Sequence, residues 1–212
     1  WGREMQIRFD QGPAGPGTWF ERPDRVIRAD SADEVCTALD AMDHARAQGA
    51  WLAGYASYEL GYVLEPRLAG RLPHQRRLPL LCFGVYDAPG ARAPAQGVAT
   101  LGPLAPRWSQ ARYAQAFAVV NRGIGAGDIY QANLTFPMDA KVYGTSEALY
   151  AALADLQPVG HGALVLQDDL PDLLSRSPEL FFRTDVAGQI ETRPMKGTQP
   201  RSADPVEDAR RR

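Results

Sequence analysis

The sequence predicts an α+β fold built on largely antiparallel sheets. Segments with strand character outnumber those with helical periodicity, several of the strands are near neighbours in the chain, and no internal repeat interrupts the pattern. The 212 residues are enough to bury a sizeable core, with 45% hydrophobic and 23% charged side chains, as in an ordinary globular protein.

MQIRF (5–9) reads as the first strand. SADEVCTALDAMDHARAQG (31–49) opens with a capping box, Ser31 and Glu34, places Val35, Leu39 and Met42 on one face, and should stop at Gly49. AWLAGYASYE (50–59) and PLLCFGVYD (79–87) follow as strands, and the Gly, Pro and Ala content of 88–106 marks a linker or long loop. Ser109 then caps a helix that carries Tyr113, Phe117, Val120 and Ile124 at helical spacing and ends at Gly125 and Gly127. IYQANLTF (129–136) alternates as a half-buried strand should. A helix at about 146–156 is followed by a strand at 162–168, then by strands at 173–183 and 189–195 joined through a turn at Gly188.

Charge and composition exclude several function classes. A net charge of −2 argues against a broad grip on nucleic acid or an anionic membrane, and the basic run Arg210–Arg212 reads as a solvated helix face. No apolar run approaches a membrane span and no signal-peptide pattern opens the chain, so a cytoplasmic location is expected. Cys36 and Cys82 sit in apolar contexts and read as reduced, buried thiols. Trp1 is not expected to be a translation start.

Most local signals for chemistry have a plainer explanation. GIGAGD (123–128) ends a helix instead of opening one, unlike a dinucleotide loop. His44, His74 and His161 are scattered without zinc-ligand spacing, and no Gly-x-Ser-x-Gly elbow appears. Two residues stand out. Glu179 in SRSPELFF follows a proline and precedes an apolar run expected to be buried, a setting that can raise a carboxyl pKa for acid–base work. Its plainer reading is a strand-edge carboxylate in water. Lys196 in ETRPMKGTQPR lies one hairpin further on, where Pro194 biases Arg193 toward extended geometry and Gly197 frees the turn. It is either a wet turn lysine or a nucleophile kept neutral by desolvation.

GDIYQANLTFP (127–137), SRSPELFF (175–182) and TRPMKGTQPR (192–201), in this order, resemble the chorismate-using enzymes, and specifically the aminodeoxychorismate synthase component I family. WLAGYASYELGYVLEP (51–66) is similar to that family's N-terminal region. The resemblance implies a sandwich of largely antiparallel sheets with outer helices, incomplete in this chain. It implies residues 1–87 as the N-terminal region, 88–108 as a linker, and 109–212 as the first part of a chorismate-binding domain. It assigns Lys196 as the nucleophile that adds to C2 of chorismate while the C4 hydroxyl leaves, before ammonia attacks C4 and expels the lysine. Related anthranilate and isochorismate-type enzymes usually carry alanine there. Glu179 is assigned the proton for the departing hydroxyl, and Gly197 and Thr198 the substrate contacts.

The resemblance further implies Mg²⁺ on the ring carboxylate, a glutamine amidotransferase subunit that supplies ammonia, and a place in 4-aminobenzoate and folate biosynthesis. It also admits a fused lyase domain downstream. Met195 stands where isoleucine is commoner, and the opening segment is unlike the tryptophan-binding region of some relatives. The chain stops at Arg212, inside a developing helix. The family's Mg²⁺-binding glutamates, a histidine and the arginine for the pyruvyl carboxylate lie beyond it. A chain ending there is expected to be inactive alone. The rival readings are anthranilate synthase component I and a non-catalytic binding or regulatory fragment.

Overall fold

The structure, a computed structural model, describes residues 5–93, 97–194 and 202–210. β1 (Met5–Gly12) runs past the expected strand and folds back as β2 (Gly15–Phe20). The Thr18 hydroxyl holds this turn, donating to the Gly15 carbonyl at 2.7 Å and accepting from the Ala14 N–H at 3.2 Å. β3 (Arg25–Ala29) leads into α1 (Ala32–Ala47), capped at Ser31. The Glu34 carboxylate accepts from the Ser31 N–H at 2.9 Å and the Asp30 N–H at 2.6 Å, and these bonds hold it below the usual carboxylate range. Beyond the last turn, Gly49 takes φ +84°, the left-handed geometry that ends helices.

The buried stripe of α1 is Val35, Ala38 and Ala45. Leu39, expected on that face, is 36% exposed, because the stripe follows the 3–4–3 spacing from Val35 and leaves Leu39 at its border. Cys36, expected to be buried, is exposed for the same reason; Cys82 is buried, and both are free thiols.

β4 (Trp51–Ala56) ends earlier than expected, as Ser57 to Glu59 turn into α2 (Leu60–Leu64) and a 3₁₀ turn, Pro66–Arg71. β5 (Leu81–Tyr86) follows, and the segment expected to be a linker contains three two-residue strands, β6 (Gly90–Ala91), β7 (Thr100–Leu101) and β8 (Ala105–Pro106).

α3 (Gln110–Ala126) is capped as expected, with the Ser109 hydroxyl accepting from the Arg112 N–H at 3.2 Å. Gly127 closes it at φ +80°, with the Asp128 N–H on the Gly123 carbonyl at 2.9 Å and the Gly127 N–H on Ile124 at 3.1 Å. The strand expected at 129–136 has no ladder. An alternating segment becomes a strand only when a neighbour takes its backbone hydrogen bonds, and among the described residues none does. β9 (Met138–Asp139) pairs with β8, β10 (Val142–Tyr143) pairs with β7, and α4 (Ser146–Leu156) comes next. The Arg107 guanidinium grips Asp139 through both forks, at 2.8 and 2.6 Å, and pins the β8–β9 pair.

β11 (His161–Gln167), β12 (Leu173–Ser177), β13 (Leu180–Thr184), β14 (Ile190–Arg193) and α5 (Pro205–Arg210) complete the chain. The structure divides into two compact units, Pro94–Leu153 and a discontinuous one built from Trp1–Ala93 and Ala154–Arg212. The two segments of the discontinuous unit are joined because β1 pairs with β11 as well as with its near neighbour β2.

In the discontinuous unit, one antiparallel sheet has the order β12-β11-β1-β2-β6 and a second the order β3-β5-β4. Alternation along β5 sorts its side chains between two cores. Leu81 and Val85 pack with Val35, Ala38 and Ala45 of α1, while Cys82 and Tyr86 pack with Met5, Ile7, Phe20 and Val165 of the other sheet. The layers are therefore helix, sheet and sheet. Gly54 lets β4 approach β5, since a Cβ there would lie 2.2 Å from the Cys82 carbonyl oxygen, and Gly84 leaves room for the Tyr86 ring, whose hydroxyl oxygen a Cβ would meet at 2.4 Å. Two tyrosines tie the sheets across the core: the Tyr86 hydroxyl donates to the Met5 carbonyl at 3.1 Å and the Tyr55 hydroxyl to Gln167 Oε1 at 3.2 Å.

Burial raises the Tyr55 pKa from 10.0 to about 12, against the opposing pull of its Gln167 bond. A tyrosine with a raised folded-state pKa keeps its proton when the unfolded chain has lost it. Its stabilising contribution is therefore complete below pH 10.0 and lost as pH rises toward about 12. The stability gap between wild type and Tyr55→Phe, read from urea midpoints, should narrow over that interval. A gap that stays constant with pH would contradict the burial of the phenol.

Candidate active site

The three sequence motifs lie in different structural settings. In SRSPELFF, β12 stops at Ser177 and β13 starts at Leu180, because Pro178 has no N–H to donate and cannot continue a ladder. The expected continuous strand 173–183 is thus two strands. Between them, the Ser177 hydroxyl accepts from the Glu179 N–H at 3.2 Å and donates to the Glu179 carbonyl at 3.0 Å, clamping the turn from inside. Glu179 is exposed. The apolar run after it, expected to be buried, is also open: Phe181 is 84% and Phe182 56% exposed. Such a run is buried only where another layer covers it, and the described residues supply none over this hairpin.

β13 and β14 form an antiparallel hairpin, as the sequence predicts, with the turn closed by Gly188 at φ +78°. The Asp185 carboxylate accepts from the Ala187 and Gln189 N–H groups, each at 2.9 Å, and the Thr192 hydroxyl reaches the Phe181 carbonyl at 2.7 Å. Glu191 is gripped by Arg193 and Arg183, and these bonds hold its carboxyl below the usual range. The last ladder pair, Leu180↔Arg193, sets Glu179 and Pro194 at the same open end of the hairpin. Lys196, Gly197 and Thr198 lie outside the described residues.

In GDIYQANLTFP, the glycine end is the helix cap already described. Tyr130 is 90% exposed, whereas Phe136 returns to α3, stacked on Trp108 at 5.7 Å and edge-on to Tyr113 at 5.7 Å.

Sequence reasoning missed a polar cluster behind the Glu179 turn. Arg176 meets Asp10 at 2.6 Å and donates to the Gln157 carbonyl at 2.9 Å, while Arg8 meets the other Asp10 oxygen at 3.0 Å. The alternation of Arg8 and Asp10 with Met5, Ile7 and Phe9 marks a polar face on β1, but nothing local names the partner on β12.

A cavity of about 510 Å³ opens between the two sheets, lined by Met5, Arg25, Arg28, Cys82, Gln167 and Asp169, among others. It does not include Glu179. Its one thiol, Cys82, is pushed up in pKa by burial and so is a poor nucleophile at neutral pH. The described residues contain no group of three or more His, Cys, Asp or Glu able to hold a metal ion, and no helix among them long and apolar enough to cross a membrane. The Mg²⁺ ligands that the sequence resemblance implies are expected beyond Arg212, so they are not among these residues.

Against known families, residues 89–212 match the profile of the chorismate binding enzymes. The chain belongs to the chorismate-binding enzyme family. It is 37% identical over 116 residues to an aminodeoxychorismate synthase of Streptomyces griseus, covering 55% of this chain and 16% of the relative. It is 34% identical over 145 residues to aminodeoxychorismate synthase component 1 of Klebsiella aerogenes, covering 64% and 31%. Anthranilate synthase component 1 of Thermus thermophilus is 32% identical over 197 residues, 75% of this chain and 42% of the relative. The chain thus spans less than half the length of these relatives. A Bacillus anthracis crystal structure described as that of a putative 2,3-dihydroxybenzoate-specific isochorismate synthase superposes with a TM-score of 0.60 at 20% identity, over 100% of this chain and 54% of that one. This likeness establishes the shared chorismate-utilising enzyme fold.

The hairpin that ends beside Glu179 depends on Gly188, since alanine at that φ costs roughly 1 kcal/mol. Gly188→Ala should speed amide exchange in Leu180–Thr184 and Ile190–Arg193 about fivefold, with Gly188→Asn less affected. Unchanged exchange in Gly188→Ala would show that the turn does not hold the hairpin.

Proposed function

We propose that this chain is part of an aminodeoxychorismate synthase component I, which converts chorismate and ammonia to 4-amino-4-deoxychorismate. The observation that carries this reading is Lys196 in TRPMKGTQPR, within a chain whose family binds chorismate. Aminodeoxychorismate synthases among its relatives support it.

In this mechanism the neutral Lys196 amine forms a bond to C2 of chorismate. Both ring double bonds shift and the C4–O bond breaks, with Glu179 supplying the proton that lets the hydroxyl leave as water. Ammonia then forms the C4–N bond, both double bonds shift back, and the C2–N bond to lysine breaks. The proton released by the incoming nitrogen restores the protonation of the site. The net change exchanges hydroxyl for amine, releasing one water. Gly197 and Thr198 contribute a backbone N–H and a hydroxyl to the substrate. The hairpin register supports the pairing of roles, because Glu179 sits at the end from which the chain leads on to Lys196. Three residues of chain span at most about 10 Å.

The enzyme uses Mg²⁺ held by residues other than those described, and takes ammonia from a glutamine amidotransferase subunit. Its product feeds 4-aminobenzoate and folate formation. The likeness to anthranilate synthase component 1 over 75% of the chain favours a second reading, amination of the same substrate without a covalent lysine.

Lys196→Ala in the full-length enzyme, assayed with chorismate, Mg²⁺ and ammonia, separates the two. Loss of 4-amino-4-deoxychorismate, or a change of product toward anthranilate, is expected. Unchanged formation of 4-amino-4-deoxychorismate would overturn the nucleophile.

A further inference from the structure

We propose that Arg176 and Asp10 form a positioning pair that aims the Ser177–Pro178–Glu179 turn, so that the direction of Glu179 is set from the N-terminal strand. This rests on the role of Glu179 as the acid. The strand registers place the pair in one row across three strands. Arg176 lies opposite Gly162 of β11, and one step beyond the pair Phe9↔Ala163 sets Asp10 on the other side of Gly162. The glycine between them has no side chain and is buried, which leaves the Arg176 guanidinium a path over β11 to the Asp10 carboxylate at 2.6 Å.

The pair is poorly exposed, with side-chain accessibilities of 10% for Arg176 and 15% for Asp10. A buried ion pair is a weak device for stability, since apolar groups of similar volume often do as well. It is a strong device for geometry. The guanidinium fork also donates to the Gln157 carbonyl at 2.9 Å, so β12 is fixed at Arg176 by two anchors outside its own ladder. The ladder of β12 ends one residue later, at His161↔Ser177, and Pro178 cannot extend it. Past that point the Glu179 backbone is held by the Ser177 hydroxyl. Where Glu179 points therefore follows from where the end of β12 is held. Arg176 does not touch the reacting atoms in this scheme; it acts through Glu179.

The test is a set of cycles in the full-length enzyme, with kcat and the KM for chorismate measured for Arg176→Met, Arg176→Lys and Asp10→Asn, alone and combined with Glu179→Gln. Arg176→Met should lower kcat about a hundred-fold with little change in KM, because a misplacement of about 1 Å is enough for such a loss. Arg176→Lys, which keeps the charge but not the fork, should recover part of it. Asp10→Asn, which reaches the pair from the other strand if Arg176→Met fails to fold, should act in the same direction. Beside Glu179→Gln, each of these should cost nothing further. A loss that persists in full beside Glu179→Gln, or a wild-type kcat in both Arg176→Met and Asp10→Asn, overturns the positioning pair. A wild-type kcat in Glu179→Gln alone overturns the acid role itself.

Discussion

The antiparallel ladder between β1 and β11, from Met5↔Gln167 to Phe9↔Ala163, is the constraint on which the rest of the structure depends. It joins opposite ends of the chain into one sheet, and the closure entropy of so long a loop grows only slowly with its length. Once the ladder forms, Ile7 and Val165 share a core with Cys82 and Tyr86, and the second sheet has a face to pack on. The same ladder brings Asp10 beside the row that ends in Arg176, so the register that builds the core also holds the turn before Glu179. A slip of one residue in β1 would send Ile7 to the wrong face and remove Asp10 from Arg176 together.

The local elements were legible in the sequence wherever a local cause fixes them. Ser31 with Glu34, Ser109, Gly49 and Gly127 mark helix ends through hydrogen bonds and φ values that no distant residue has to supply. Gly188 marks its turn in the same way. The failures share the opposite cause. The alternation of 129–136 describes a surface that would suit a sheet, but the described residues offer that segment no partner strand. Phe181 and Phe182 likewise read as buried from composition and lie open, because burial belongs to whatever layer packs on them.

The candidate site was legible in part, and for a different reason. Glu179 stood out because a carboxylate after Ser-Pro is an unusual way to open an apolar run, and the structure explains the spacing: Pro178 ends one strand and the Ser177 hydroxyl shapes the turn into the next. Arg176 did not stand out. A basic residue within a strand says nothing about a carboxylate far away in the chain, and only the three-strand register makes the two neighbours. The chemistry proposed for Lys196 makes opposite demands on its surroundings: an apolar wall keeps the amine neutral, while a nearby acid must still give up a proton.

The central claim is a covalent bond between the chain and its substrate, and its most direct test is to catch that bond. Full-length enzyme is incubated with chorismate and Mg²⁺ without ammonia, quenched, and mapped by peptide mass spectrometry. A mass increase equal to chorismate less one water is expected on the peptide carrying Lys196, discharged when ammonia is added before the quench. Rapid formation of 4-amino-4-deoxychorismate by an enzyme that shows no adduct, or carries it on another residue, would contradict it.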